Sequence, residues 1–216
     1  MPEVSLEEKT EDLMRASIVA IDYLNQEKRK LFIPKSFFLM LHKLLLAHKP
    51  EDAGRYRDAR DILEVSQATF IPSEPARIVD QLVELQDFIN NRRKWRHQFN
   101  RDIKSKIDLS DFPKEVVDMM YGLYIPWYVH HRLVVIHPFS DGNGRISRLI
   151  MCVLLRENGL VEMSFPPLIN TIINENKTQY LDALNAMDGD NQPRAFLYVM
   201  RLMKAAYQKA AEENLD

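Results

Sequence analysis

Residues 137–148 read His-Pro-Phe-Ser-Asp-Gly-Asn-Gly-Arg-Ile-Ser-Arg. This turn of chain carries an imidazole (His137), a carboxylate (Asp141), two glycines around Asn143, and two arginines three residues apart. Apolar, helix-like segments flank it, Trp127 to Ile136 before and Leu149 to Leu155 after. A polar loop set between two buried helices predicts a site carried on a helical scaffold.

The glycines at 142 and 144 permit backbone conformations closed to other residues and let a ligand approach the main chain. The N–H groups of the helix that follows make an anion site, reinforced by its dipole. Arg145 and Arg148, at i and i+3, project from neighbouring points of that helix. Two guanidiniums beside an N–H cradle suit a polyphosphate. Asp141 offers the single hard carboxylate that Mg²⁺ uses together with waters and substrate phosphates. His137 titrates near neutrality and suits a general base. Together these predict transfer of a phosphate-containing group to a hydroxyl. The stretch contains neither Gly-x-x-x-x-Gly-Lys-Ser/Thr nor Gly-x-Gly-x-x-Gly, and no EF-hand glutamate follows the loop. His130, His131 and His137 sit at spacings of one and six rather than the i, i+4 of a zinc helix, which argues against a zinc site.

Outward from the loop, the chain predicts an all-α domain. Ser5-Leu-Glu-Glu8 has capping-box spacing, and Leu13, Ala16, Ala20, Ile21 and Leu24 then share a face of a helix over about 6–30. Pro34 opens a second helix with Phe37, Phe38, Leu41, Leu44 and Leu45 inward, stopped at Lys49-Pro50. Residues 61–72 are the most β-like stretch, with Ile62, Val65, Thr69, Phe70 and Ile71 favouring a hairpin that lies on the helices. Ser73 is expected to cap a third helix with Ile78, Leu82, Leu85 and Ile89 on one face. Arg92-Arg-Lys-Trp-Arg96 reads as a solvated helix end rather than a nucleic-acid patch. Pro113 opens a helix that Pro126 restarts or kinks. A helix from about Asn143 stops at Gly159. Pro166-Pro167 is expected to break the chain, with helices near 174–187 and 193–213 to complete the inventory.

Composition bounds the partners. The 216 residues carry a net charge of −2, 46% hydrophobic and 28% charged residues, which gives no pull toward nucleic acid or membrane. The one cysteine, Cys152, lies in an apolar run and reads as a small core residue. No apolar stretch approaches the roughly 18 residues of a membrane span, and the N-terminus lacks an apolar signal region. A cytoplasmic protein is expected, with export as a translocated effector leaving no readable mark.

Residues 137–148 resemble the Fic family signature, His-x-Phe-x-(Asp/Glu)-Gly-Asn-Gly-Arg-x-x-Arg, at every defined position. Ile136 before it and Leu149-Ile150 after it agree with that pattern. Leu41-His-Lys-Leu-Leu45, Gly54-Arg-Tyr-Arg57 and Glu175-Asn-Lys-Thr-Gln-Tyr-Leu-Asp-Ala-Leu184 are similar to other core segments of the family. The resemblance implies a Fic domain over residues 36–206, preceded by a helical arm at 1–35 and followed by the end of a C-terminal helix at 207–216. It further implies an adenylyltransferase that moves AMP from Mg-ATP to a Ser, Thr or Tyr hydroxyl of a target protein. His137 would then be the base and Asp141 the Mg²⁺ ligand. Gly142, Asn143, Gly144 and Arg145 would cradle the phosphates, with Arg148 on the γ-phosphate. Residues 60–72 would be a flap over the site, holding the target along Ile62, Leu63, Glu64 and Val65 by strand addition. Alternatives within the resemblance are transfer of phosphate, UMP or phosphocholine, or a latent regulatory module; the intact Gly-Asn-Gly-Arg favours AMP.

Many members are silenced by a glutamate in a (Ser/Thr)-x-x-x-Glu-(Gly/Asn) helix that pairs with the arginine matching Arg148. Thr171 to Asn176 fits formally but coincides with a core segment. Glu213-Asn214 has the right ending, with Lys209 where Ser or Thr is expected. The resemblance thus implies self-inhibition through Glu213 or, instead, a separate antitoxin. The Met- and Leu-rich faces pack internally or against a second copy in a homo-oligomer.

Overall fold

From Met120 to Ile136 the chain is apolar almost all round, and this places that stretch at the centre. The computed structural model describes residues 6–26, 33–61, 71–161, 165–189 and 191–213. Their helices are α1 (Leu6–Gln26), α2 (Lys35–Leu45), α3 (Ile78–Asn90), α4 (Arg92–Phe99), α5 (Lys114–Ile136), α6 (Asn143–Glu157), α7 (Phe165–Glu175), α8 (Lys177–Asp188) and α9 (Gln192–Glu213). A 3₁₀ turn at Pro75–Arg77 leads into α3, and a π turn at Asn100–Lys104 continues α4. No strand occurs among the described residues, in keeping with the expected all-α class. The predicted flap residues Ile62, Leu63, Glu64 and Val65 lie outside them.

The α5–α6 pair forms the spine, with α1, α2, α3, α4, α7 and α9 packed around it. From α5 the rings of Tyr124 and Trp127 and the side chains of Val129 and Leu133 are buried; from α6, Ile150, Val153 and Leu154. The predicted inward faces of α1 (Leu13, Ala16, Ala20), α2 (Phe37, Phe38, Leu41, Leu45) and α3 (Ile78, Leu82, Leu85, Ile89) are buried as well; Leu44 is partly exposed. The side chains of Ile21 and Leu24 lie outside the described set. No described helix is long and apolar enough to cross a membrane.

Several prolines and caps behave differently from expectation. Helix α5 runs through Pro126 without restarting. Proline cannot donate to the carbonyl four residues back, Gly122, and that carbonyl instead accepts the Asn158 amide at 2.9 Å, which removes the cost of an unsatisfied buried acceptor. Pro166 and Pro167 do not break the chain: they occupy the first turn of α7, where a missing N–H costs nothing. That helix was not foreseen. Ser73 caps nothing; its N–H donates to Val135 O at 3.2 Å and its carbonyl accepts from Arg57. Gly159 does end α6, at φ 71. The bonds Leu160 N–H to Leu155 O (2.9 Å) and Gly159 N–H to Arg156 O (2.8 Å) form a Schellman closure.

The basic run after α3 buries Trp95 and leaves Arg93, Lys94 and Arg96 exposed, as a solvated helix end does. Arg92 pairs with Glu157 at 2.9 Å and lies 3.8 Å above the Trp95 ring. Lys94 pairs with Asp87 and Arg101 with Asp102. Cys152 is buried, and burial pushes its thiol up to about 12, so it is inert as a nucleophile.

Candidate active site

The loop from His137 to Gly142 joins α5 to α6, and its two ends adopt left-handed backbone. His137, at φ 50, is the one non-glycine with positive φ among the described residues. Such a conformation persists only where neighbours over-determine it. Here Arg57 does so: its guanidinium donates to the His137 carbonyl at 2.6 Å and to Ser73 O, while its backbone N–H donates to Pro138 O at 2.9 Å. Gly142, at φ 78, caps α6. A Cβ there would be strained by the positive φ and would stand 2.6 Å from Leu46 Cδ1, which would have to move, so the position favours glycine.

The middle of the loop is held by its own side chains. Phe139 is fully buried and stacks face to face on His42, centroids 3.7 Å apart and 5° from parallel. Asn143 closes a two-bond clasp on Phe139, accepting its N–H at 3.0 Å and donating to its carbonyl at 2.7 Å. The Asn143 amide is therefore spent on loop shape. His42 accepts the Gly54 N–H on Nδ1 (3.0 Å), which fixes the proton on Nε2, where it donates to Asp141 O at 3.0 Å.

His137 sits half-buried at the C-terminal end of α5. Its Nδ1 lies 3.3 Å from Val134 O, so Nδ1 carries the proton and Nε2 the lone pair. Burial lowers its pKa, opposed by the Val134 bond and assisted by the Arg57 charge. The ring is thus a neutral base at pH 7. Burial raises the Asp141 carboxyl, but the Lys49 hydrogen bond, the Arg145 charge and the Gly142 N–H outweigh it and hold the group below its ordinary range. Arg145 donates to Leu45 O at 3.0 Å and lies 3.7 Å from Asp141 Oδ2. It thereby ties the end of α2 to the loop.

Arg148 is different. No carboxylate pairs with it among the described residues. Its Nε is buried with no hydrogen-bond partner, and burial is the main influence lowering its pKa. It interacts with the Tyr180 hydroxyl, which in turn lies 3.0 Å from His130 Nε2. A Cβ on Gly144 would come within 3.1 Å of Arg148 Nη1, so that glycine leaves room for the guanidinium. A desolvated guanidinium with no carboxylate partner among the described residues, near the start of α6, has the chemistry to accept an anion. The inhibitory residue expected from the sequence, Glu213, ends α9, and its side chain lies outside the described set.

Three residues of this site were given no site role in the sequence reading: His42 and Arg57 stood only in segments resembling the family core, and Lys49 only at a helix stop. Their partners are 80 to 99 positions away, so no local spacing signals them. Among the described residues no group of three or more His, Cys, Asp or Glu could hold a metal.

The buried histidines make stability depend on pH. Burial lowers His42, His137 and, to about 3, His130 from the ordinary 6.5. The unfolded chain takes up these protons near 6.5 while the folded chain does not. Stability is therefore full above that value and declines as pH falls below it. For His130, whose folded value is about 3, the slope is on the order of 1.4 kcal/mol per pH unit, and His42 and His137 add in the same direction. Urea midpoints are expected to drop between pH 7.5 and 5; a flat profile would contradict neutral burial.

Comparison with known proteins agrees with this geometry. The Fic/DOC family pattern matches residues 32–155, more than half of the chain. "Protein adenylyltransferase Fic" of Nematostella vectensis is 30% identical over 71% of this chain and 28% of its own length. "Protein adenylyltransferase fic-1" of Caenorhabditis elegans is 26% identical over 79% of this chain and 27% of its own. The chain thus spans under a third of the length of these curated relatives. Among solved structures, a Fic-1 fragment from C. elegans superposes with a TM-score of 0.60 at 19% identity, covering 99% of this chain and 54% of that one. A Fic family protein from Desulfovibrio desulfuricans gives 0.57 at 18% identity, over 97% and 67%. The fold, the loop and the sequence match converge: the chain belongs to the Fic/DOC family.

Proposed function

We propose that the chain transfers AMP from ATP to a Ser, Thr or Tyr hydroxyl of a target protein, releasing pyrophosphate. The observation that carries this reading is Arg148, a buried cation with no carboxylate partner among the described residues, packed against Gly144 at the start of the helix that follows the His137 loop. The names of the adenylyltransferase relatives support AMP as the group moved.

In this mechanism Arg148 and the first N–H groups of α6 bind the terminal phosphates and stabilise the charge that develops on them. Gly142 and Gly144 leave the main chain open to the ligand. Asn143 acts by holding the loop to Phe139, and Arg145 by holding it to α2 and shaping the field around Asp141. His137 Nε2 accepts the proton of the acceptor hydroxyl as its oxygen attacks the α-phosphorus and the bond to pyrophosphate breaks. The donor chemistry fits Mg²⁺: one part-exposed carboxylate, Asp141, rather than an all-protein cage. When bound, the ion would neutralise phosphate charge. The target segment is proposed to run along residues 62–65, whose flanks are anchored to the site through Arg57 and Ser73.

Incubation with α- or γ-³²P-ATP, Mg²⁺ and candidate target proteins tests this. Label on protein from α-³²P only supports AMP transfer. Label from γ-³²P only makes the chain a phosphate transferase, and no label from either overturns transfer from ATP.

A further inference from the structure

Lys49 reaches 3.0 Å from Asp141 Oδ2 with its ammonium, and the turn that carries it is unusually well held. His48 Nδ1 lies 2.6 Å from Asp12 Oδ2, with both side chains only 6% exposed. The His48 N–H points at the same oxygen at 3.4 Å. The Lys49 N–H donates to Leu46 O at 2.9 Å, and its carbonyl accepts from Asp52 and Ala53 at 3.1 and 3.2 Å. Helix α1 thus fixes the base of the Lys49 side chain while its tip, like Asp141, remains part-exposed.

Both Asp141 oxygens are occupied. Oδ1 accepts the Gly142 N–H at 2.6 Å; Oδ2 faces Lys49, with Arg145 3.7 Å away. An ammonium and a divalent cation compete for Oδ2, because two like charges held on one carboxylate oxygen repel each other. A part-exposed ion pair is weak enough to exchange. A displaced Lys49 is tethered within reach of whatever anion shares the site, and in the reading above that anion is a nucleotide polyphosphate.

We propose that Lys49 is a phosphate-binding residue that occupies the cation's carboxylate until nucleotide arrives, so that cation and nucleotide bind cooperatively. Asp141 exchanges the ammonium for the cation, and Lys49 exchanges the carboxylate for phosphate oxygens. By linkage, whatever nucleotide gains from the cation, the cation gains from nucleotide. The inference rests on Asp141 being the cation ligand.

The 216-residue wild-type chain, Lys49→Met, Asp141→Asn and the double variant are titrated with Mn²⁺ alone, followed by electron paramagnetic resonance, and with ADP in the presence and absence of Mn²⁺. Circular dichroism confirms that each is folded. Lys49→Met is expected to bind Mn²⁺ alone roughly 5- to 10-fold more tightly and ADP alone more weakly by a similar factor, with a smaller mutual enhancement. Adding Asp141→Asn should abolish the gain in Mn²⁺ affinity. If Asp141→Asn weakens Mn²⁺ binding but Lys49→Met leaves it at the wild-type value, the Lys49 proposal fails and the cation assignment survives. If Asp141→Asn leaves Mn²⁺ binding unchanged, the cation assignment fails and the proposal with it.

Discussion

His137→Asn is expected to slow AMP transfer by about 10²–10⁴-fold while nucleotide binding stays within roughly twofold of wild type. Asparagine is the informative replacement, because His137 has φ 50 and asparagine tolerates left-handed backbone far better than alanine. Its side-chain amide also keeps a donor near Val134 O, which His137 Nδ1 faces at 3.3 Å. Loss of the base is thereby separated from loss of the loop's shape. Single-turnover rates with α-³²P-ATP, set beside ADP binding by calorimetry, distinguish the two; a variant that retains transfer within tenfold would remove His137 from proton transfer. The wild-type pH profile carries the same signature. Because burial holds the ring neutral, the rate should persist as pH falls to the ordinary histidine value and decline only below it.

Arg148→Met is the second large effect, and it moves function and stability in opposite directions. Nucleotide affinity should fall by about 10- to 100-fold, since charge-assisted hydrogen bonds to phosphate are worth on the order of 1.5–3 kcal/mol. The unliganded protein should become more stable, by about 1 kcal/mol or roughly 2–4 °C in Tm. The reason lies in the buried Nε, which finds no partner, and in the missing carboxylate among the described residues. Methionine fills similar space and removes a charge that folding has to desolvate. Differential scanning calorimetry decides the matter. A fall in Tm would mean that Arg148 is compensated in the fold, by the Tyr180 hydroxyl or by a carboxylate whose side chain is not described. Tyr180→Phe and Glu213→Gly separate the two, and only in the second case would Glu213→Gly also raise self-AMPylation.

The sequence made some features legible because their causes are local. The inward faces of α2 and α3 follow from apolar spacing, and the stop at Gly159 follows from a residue that accepts φ 71. The reactive loop declared itself because His137, Asp141 and the glycines lie within a few residues of one another. What stayed hidden depends on distant partners. Pro126 continues its helix only because Asn158 comes back to Gly122. Ser73 resembles a cap, yet its carbonyl and N–H serve Arg57 and Val135. Pro166 and Pro167 read equally well as breakers and as helix openers, and packing against the rest of the fold selects the second. Arg57, His42 and Lys49 show no local periodicity that distinguishes them from other polar residues near a helix end. Asn143, expected from the resemblance in a phosphate cradle, opens α6 and turns its amide onto Phe139.

The bond from Asn158 to Gly122 crosses from the far end of α6 to the middle of α5, and the Asn143 clasp closes the near end. The connection between these helices is therefore shut at both extremities, with Phe139 wedged beneath His42. Opening it requires the α5–α6 hairpin to come apart as a unit, so its amide protons should exchange with solvent only in step with global unfolding. Loops in most proteins are the first regions to breathe. Here the segment proposed to perform the chemistry is expected to exchange as slowly as the α5–α6 core that holds it.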